Sequence, residues 1–133
     1  MVETAAYLDM IGGVSGDMLL GAMVDVGLPL DDLQVELDKI PDRGYQLTSK
    51  SVKRGGLEAT LVEVELDEGG RRKRTWDDFY NSIEASTLPD ADQKMIKKIF
   101  DVLAKAESLA HGGEARTTHL HELGTVDTLV DIS

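Results

Sequence analysis

The spacing of apolar residues along the first half of the chain changes between two periods, which predicts a mixture of strands and helices. Apolar and charged residues alternate from Ala59 to Leu66, as expected for a strand with one buried face. A second alternating stretch runs from Gly44 to Val52, and Arg54-Gly55-Gly56 lies between the two. Glycines in that position are typical of a tight hairpin turn, so we predict an antiparallel pair.

The first residues predict a third strand followed by a helix. Ala5–Met10 is a short apolar run that ends at a glycine-rich turn, which is typical of a buried strand. A helix is predicted over Asp17–Val26, with one apolar face directed at the core. That face consists of Met18, Leu19, Ala22, Met23 and Val26. A second helix is predicted to begin with a capping box formed by Asp31 and Gln34.

The second half of the chain has helical periodicity. Thr75 and Asp78 have the spacing of a helix cap, and Pro89 precedes a longer helix that is predicted to reach Ala110. The predicted class is α+β: a small mixed sheet of about three strands with covering helices, followed by a helical segment. We expect one domain over residues 1–133, with a sheet-plus-helices part at 1–68, a linker loop at 69–74 and a helical part at 75–133.

Composition and charge exclude several classes of function. The 133 residues carry 25 acidic and 14 basic side chains, a net charge of −11, so phosphate backbones of nucleic acids are repelled. The sequence contains no cysteine and no long apolar run, which predicts a cytoplasmic protein without a membrane span. The four consecutive basic residues Arg71–Arg74 are interpreted as a solvated flexible loop, with an anchor for an anionic small molecule as the alternative.

The densest group of chemically active side chains lies in residues 119–131. His119 and His121 are two residues apart, and Asp127 and Asp131 are four apart, so each pair shares a side of its element. With Glu122 close by, a turn at Gly124 would bring imidazoles near carboxylates, a donor set that suits zinc, nickel or manganese. An ordinary polar surface explains the same spacing, and it remains the alternative.

A second candidate site is the glycine-rich turn before the first helix. Gly13, Ser15 and Gly16 could direct backbone N–H groups and a hydroxyl at a phosphate. Asp17 places a negative charge there, which opposes phosphate binding unless a metal ion intervenes. Asp9 is a possible metal ligand beside the turn. The alternative is a tight strand-to-helix connection with a capping serine.

Three segments together resemble one family. Tyr7–Met18 resembles the amino-terminal motif of the nickel-insertion proteins for the nickel-pincer nucleotide cofactor (the LarC family). His119–Asp131 is similar to that family's His-x-His-Glu stretch with its following aspartates, and Lys53–Leu57 is similar to a middle segment. The likeness covers nearly the whole chain in the family's order.

This resemblance implies insertion of Ni²⁺ into pyridinium-3,5-bisthiocarboxylic acid mononucleotide, a lyase-type cyclometallation that uses CTP with Mn²⁺ or Mg²⁺ in full-length relatives. It implies metal handling by His119, His121, Glu122 and Asp9. Catalytic roles fall to Asp127, Asp131 and Glu122, and contacts to the mononucleotide fall to Gly13, Ser15, Gly16 and Asp17.

The chain also departs from the family. Relatives are longer, so we expect an amino-terminal piece that works with a carboxy-terminal part and has no complete activity alone. Where many relatives carry a histidine-rich tract, this chain has Arg71–Arg74, which cannot hold nickel. The alternatives are a non-catalytic module that binds a phosphorylated ligand or a partner, and a purely structural domain. Self-association is a further possibility.

Overall fold

A long β-hairpin forms the centre of the fold, and five helices follow or precede it in the computed structural model, which describes residues 5–111, 120 and 123–133, with only the backbone of His111. The elements in chain order are α1 (Gly16–Asp25), α2 (Leu30–Leu37), β1 (Tyr45–Arg54), β2 (Leu57–Leu66), α3 (Trp76–Glu84), α4 (Asp90–His111) and α5 (Val126–Ile132). The α+β class is therefore confirmed.

The predicted hairpin is confirmed in its turn and in its pairing. β1 and β2 are antiparallel, and their register runs from Tyr45 opposite Leu66 to Arg54 opposite Leu57. Gly55 and Gly56 form the two-residue turn with φ angles of +55° and +87°. Both angles lie in the left-handed region, which only glycine enters without strain, so the turn sets the register.

The third strand was predicted but does not form within the described residues. Residues 5–10 belong to no strand or helix, and their side chains are exposed. The two-stranded sheet consists of β1 and β2 alone. An apolar run can predict a strand, but a strand also needs a neighbouring edge to pair with, and none is supplied here.

Helix α1 packs on β2 by a different face from the one predicted. Leu20 and Gly21 are buried, whereas Met18, Met23 and Val26 of the predicted apolar face are exposed. Gly21 touches the carbonyl of Thr60, a contact that leaves no room for a Cβ atom. Close approach of the helix backbone to the strand therefore decides which face is buried.

Helix α2 also differs from its prediction at its start. It begins at Leu30 after Pro29, and it has no side-chain cap. The side-chain carbonyl of Gln34 instead accepts the backbone N–H of Leu47 at 3.2 Å. Gln34 thereby satisfies one backbone donor of β1 instead of closing a capping box.

The helical half is organised around aromatic side chains. Thr75 caps α3: its hydroxyl accepts the N–H of Asp78, and its own N–H donates to the Asp78 carboxylate at 2.8 Å. That second bond lowers the pKa of Asp78. Trp76, Phe79 and Phe100 are fully buried with ring centroids 5.7–6.0 Å apart. The predicted cap and the predicted long helix after Pro89 are both confirmed. Phe100 on that helix is buried, whereas Met95 and Ile99 are exposed.

Two groups of buried residues make up the described core, and α5 joins them. Val126 and Leu129 belong to the larger group around Trp76, whereas Val130 belongs to the smaller group around Leu20, Leu37, Leu47 and Val62. Tyr45 contacts both groups. Helix α5 is therefore held on two sides, which fixes the direction of its remaining face.

The basic run at 71–74 was predicted to be a solvated loop, and this prediction is wrong for one of its four residues. Arg71, Arg72 and Lys73 are exposed, but Arg74 is buried. Its guanidinium donates to both carboxylate oxygens of Asp42, at 2.6 and 3.0 Å, and to the Gly70 carbonyl at 3.1 Å. Charge pairing thus makes Arg74 a structural residue. Within the described residues, no helix is long and apolar enough to cross a membrane.

Candidate functional site

The start of α1 and the face of α5 meet, although they lie far apart in the sequence. A Cβ atom added to Gly16 would stand 2.6 Å from the carbonyl oxygen of Asp131. Only glycine allows this contact, because any side chain would separate the two helices. The glycine-rich turn and the late acidic stretch, two separate candidates in the sequence, therefore share one region of the surface.

An acidic cleft of about 420 Å³ opens at this junction. Asp17 comes from α1, and Asp127 and Asp131 come from α5, one helical turn apart as predicted. β2 supplies the wall formed by residues 61–65. The volume is within the range of small-molecule sites.

Asp131 has an altered acidity. It is half-buried, and this burial together with the negative charges of Asp17 and Asp127 raises its pKa to about 6. Burial is the largest cause, and both causes disfavour the ionised form. A carboxyl with a pKa near 6 can accept and return a proton near neutral pH. The cleft consequently favours a cation or a proton over an anion.

Glu63 and Glu65 also line this cleft, although no sequence pattern indicated that they belong to a site. Glu63 forms an ion pair with Lys50 at 2.6 Å, and Glu65 accepts a hydrogen bond from the Thr48 hydroxyl at 3.3 Å. Their alternation with apolar residues in β2 is the signal that places them on one side of the strand.

The turn before α1 uses part of the donor capacity that was predicted for a phosphate. The Gly13 N–H donates to the Met10 carbonyl at 3.0 Å. Gly13 has a φ of +98° and open space around it, so it is needed for the backbone conformation. The Ser15 hydroxyl donates to the Asp17 carboxylate and does not cap α1. Asp9 is exposed and is not among the residues that line the acidic cleft.

The predicted turn at Gly124 is held by close backbone contacts. Gly124 is buried, and a Cβ atom there would be 2.7 Å from the Leu120 carbonyl oxygen. Its carbonyl accepts the N–H of Arg74 at 2.8 Å. Leu120 is buried in the larger core group.

The metal candidates His119, His121 and Glu122 lie outside the described residues. Among the residues that are described, no group of three or more histidine, aspartate or glutamate side chains has the arrangement of a metal site.

Comparison with known proteins identifies the family. The family model described as nickel insertion protein matches residues 6–133. This chain belongs to the nickel insertion protein family. The sequence resemblance is therefore confirmed, and it covers the turn before α1, the hairpin and the acidic stretch of α5.

Several named relatives have the same one-third coverage. The pyridinium-3,5-bisthiocarboxylic acid mononucleotide nickel insertion protein of a Nocardioides species is 38% identical over 130 residues, which are 98% of this chain and 33% of the relative. The proteins of the same name from Geobacillus kaustophilus and Staphylococcus epidermidis are 38% and 34% identical, over 95% and 96% of this chain and 33% and 32% of theirs. The chain thus spans about a third of the length of these relatives. No solved structure matches it.

Proposed function

We propose that this chain is the amino-terminal part of a nickel-inserting cyclometallase whose substrates are Ni²⁺ and pyridinium-3,5-bisthiocarboxylic acid mononucleotide. The observation that carries the proposal is the family match over residues 6–133, which includes every residue of the acidic cleft. The names of the Nocardioides, Geobacillus and Staphylococcus relatives supply the reaction. CTP with Mn²⁺ or Mg²⁺, which the sequence resemblance implies, would bind in the larger part of the architecture that these relatives possess.

The chemistry of the acidic cleft supports this reaction. Formation of a nickel–carbon bond on the pyridinium ring releases a proton, and two nickel–sulfur bonds accompany it. Asp131, with a pKa of about 6, is suited to accept that proton, and Asp127 shares the same face of α5. The field of Asp17, Asp127 and Asp131 also attracts Ni²⁺ and the cationic ring.

We assign nickel delivery to His119, His121 and Glu122, with Asp9 as a further ligand. Imidazole and carboxylate donors both bind nickel, and a small number of them would hold it weakly enough to be passed on. Gly13, Ser15, Gly16 and Asp17 are proposed to contact the mononucleotide. Because Asp17 is negatively charged, its contact with a phosphate would require a bridging cation.

The architecture of the relatives bounds what this chain does by itself. It spans a third of them, so we propose that the full activity requires the larger part and that residues 1–133 act as one domain of the assembly. A cytoplasmic location stays a prediction from the cysteine-free sequence.

The proposal is tested by titrating Ni²⁺ into the chain in a calorimeter. Replacing Asp127 and Asp131 by asparagine, or His119 and His121 by alanine, should each weaken binding by at least ~10-fold, about 1.4 kcal/mol per decade. The matched control removes two exposed carboxylates elsewhere, with Asp31→Asn and Asp32→Asn at the start of α2. Equal losses in the control would mean that only net charge matters.

A separate titration with the mononucleotide distinguishes the second candidate, a non-catalytic phosphate-binding module. Nickel insertion predicts that the Asp127→Asn/Asp131→Asn variant weakens binding of the mononucleotide as well as Ni²⁺. Mononucleotide binding without any Ni²⁺ binding, unchanged in both double variants, would replace the enzyme proposal with the binding module.

A further inference from the structure

Apolar side chains are exposed in two neighbouring parts of the chain, the segment before the glycine-rich turn and one face of α1. Residues 5–11 include Tyr7 and Ile11, whose exposures are 91% and 87%. Met18 and Met23 on α1 are also exposed, as is Val26 directly after the helix, at 86%. We call these residues together the uncovered surface. Several large apolar side chains exposed within one short part of the chain are a feature of interaction sites in native proteins.

The backbone of residues 5–11 is as open as its side chains. Among the described residues, the hydrogen bond made by this stretch is the one that the Met10 carbonyl accepts from the Gly13 N–H. Its other backbone N–H and C=O groups have no partner among those residues. A segment of strand-forming residues with open backbone groups can add to the edge of a sheet in another polypeptide.

The segment belongs to the family and is not an appendage of this one chain. The family match begins at residue 6, so it contains Tyr7, Leu8, Met10 and Ile11. Gly12 and Gly13 follow with φ angles of +121° and +98°, and these fix how the segment leaves α1. A family-wide segment with a set direction and no covering contact in the described residues is consistent with an internal interface of a larger architecture.

Charge and chain length favour one occupant over a second copy. The net charge of −11 makes the approach of two copies electrostatically unfavourable. The relatives, in contrast, contain about two-thirds of their length beyond the matched third, since this chain covers 33% of the Nocardioides protein. That larger part is present in the Nocardioides, Geobacillus and Staphylococcus relatives alike.

We infer that the uncovered surface is the docking site for the larger part of the nickel insertion architecture, with Ala5–Ile11 pairing as a strand against it. This inference rests on family membership and on exposure, and it does not depend on nickel chemistry. A failure of the docking test therefore leaves the cleft titrations unaffected, and the reverse also holds.

The test uses hydrogen exchange in a chimera in which this chain replaces the matched third of the Geobacillus kaustophilus relative. Docking predicts that the amides of residues 5–11 exchange at least ~10-fold more slowly in the chimera than in the isolated chain. Tyr7→Asp combined with Ile11→Asp should restore fast exchange there, while amides of α3 and α4 remain protected in both proteins.

Two controls keep the result specific. Val35→Asp with Val102→Asp also charges two exposed apolar positions, on α2 and α4, and should leave the protection of residues 5–11 unchanged. Unchanged exchange of residues 5–11 in a chimera whose α3 and α4 are protected would overturn the inference. Protection that appears in the isolated chain and rises with its concentration would also overturn it, because a second copy would then be the occupant.

Discussion

Asp131 shows how a single side chain acquires its properties from residues that the sequence keeps apart. Its neighbour one turn back, Asp127, was predictable from helical spacing. The contact with Gly16 and the charge of Asp17 come from the docking of α1 against α5, which no local pattern encodes. The raised pKa is therefore a property of the fold. Helical spacing predicted the pairing of Asp127 with Asp131, but it could not predict that Asp17 lies near them.

The raised pKa predicts that ionisation of Asp131 destabilises the folded chain. The folded pKa of about 6 exceeds the usual 3.8, so the native state holds the extra proton between these values, and stability falls as pH rises through 6. The full shift corresponds to ~3 kcal/mol, which solvent screening at a half-exposed position reduces to ~1 kcal/mol. Asp131→Asn should raise the free energy of unfolding by that amount at pH 8.

Urea unfolding at pH 8 and pH 3.5 measures this effect. At pH 3.5 the wild-type carboxyl is protonated in the folded state and mostly protonated in the unfolded state, so the difference between wild type and Asp131→Asn should be small. Asp31→Asn, at an exposed carboxylate, serves as the control. If Asp131→Asn were as stable as wild type at both pH values, the cleft would not destabilise the ionised form of Asp131.

Arg74 shows the opposite case, because its buried charge is paired and thereby stabilised. Four consecutive basic residues predict a solvated loop, and three of them are exposed. The fourth is buried because Asp42, far away in the sequence, supplies a carboxylate with two hydrogen bonds. Charge patterning indicates where charges lie in the sequence, but their burial depends on such distant partners.

At the scale of elements, local signals predicted what local interactions determine. The Gly55-Gly56 turn and the Thr75–Asp78 cap are formed by neighbouring residues, and both were predicted correctly. The strand at residues 5–10 and the buried face of α1 depend on which surface is opposite them, and both predictions were wrong. The same two errors define the uncovered surface, so a missing neighbour explains them together.

The contact between α1 and α5 predicts a large effect from a one-carbon change. Gly16→Ala would place a Cβ atom 2.6 Å from the Asp131 carbonyl oxygen, which requires the helices to separate. We expect a loss of ~2 kcal/mol in the free energy of unfolding, despite the better helix propensity of alanine. Chemical denaturation measures this loss.

The structural control for this change is Met18→Ala on the exposed face of the same helix, where a change within ~0.5 kcal/mol is expected. If Gly16→Ala were as stable as wild type, α1 and α5 could not be in the contact described, and the acidic cleft would lose one of its walls.

At the scale of the whole molecule, the two core groups are connected through few residues. Tyr45 touches both, and α5 contributes Leu129 to one group and Val130 to the other. The acidic face of α5 is held in place because both groups pack against the opposite side of this short helix. The site therefore depends on the two groups remaining folded together, and not on either group alone.

This connection predicts that a destabilising substitution in the smaller group also lowers the thermal stability of the larger group. Val62 is 1% exposed in the smaller group, and Trp76, the only tryptophan, is fully buried in the larger group. Val62→Ala should cost ~2 kcal/mol and lower the thermal midpoint reported by Trp76 fluorescence by ~10 °C, because one cooperative transition includes both groups. Val35→Ala, at an exposed position of α2, should leave that midpoint unchanged. A Trp76 midpoint that stays fixed while circular dichroism shows early loss of the hairpin would mean that the groups unfold separately, and α5 would then lose its support on one side before the other.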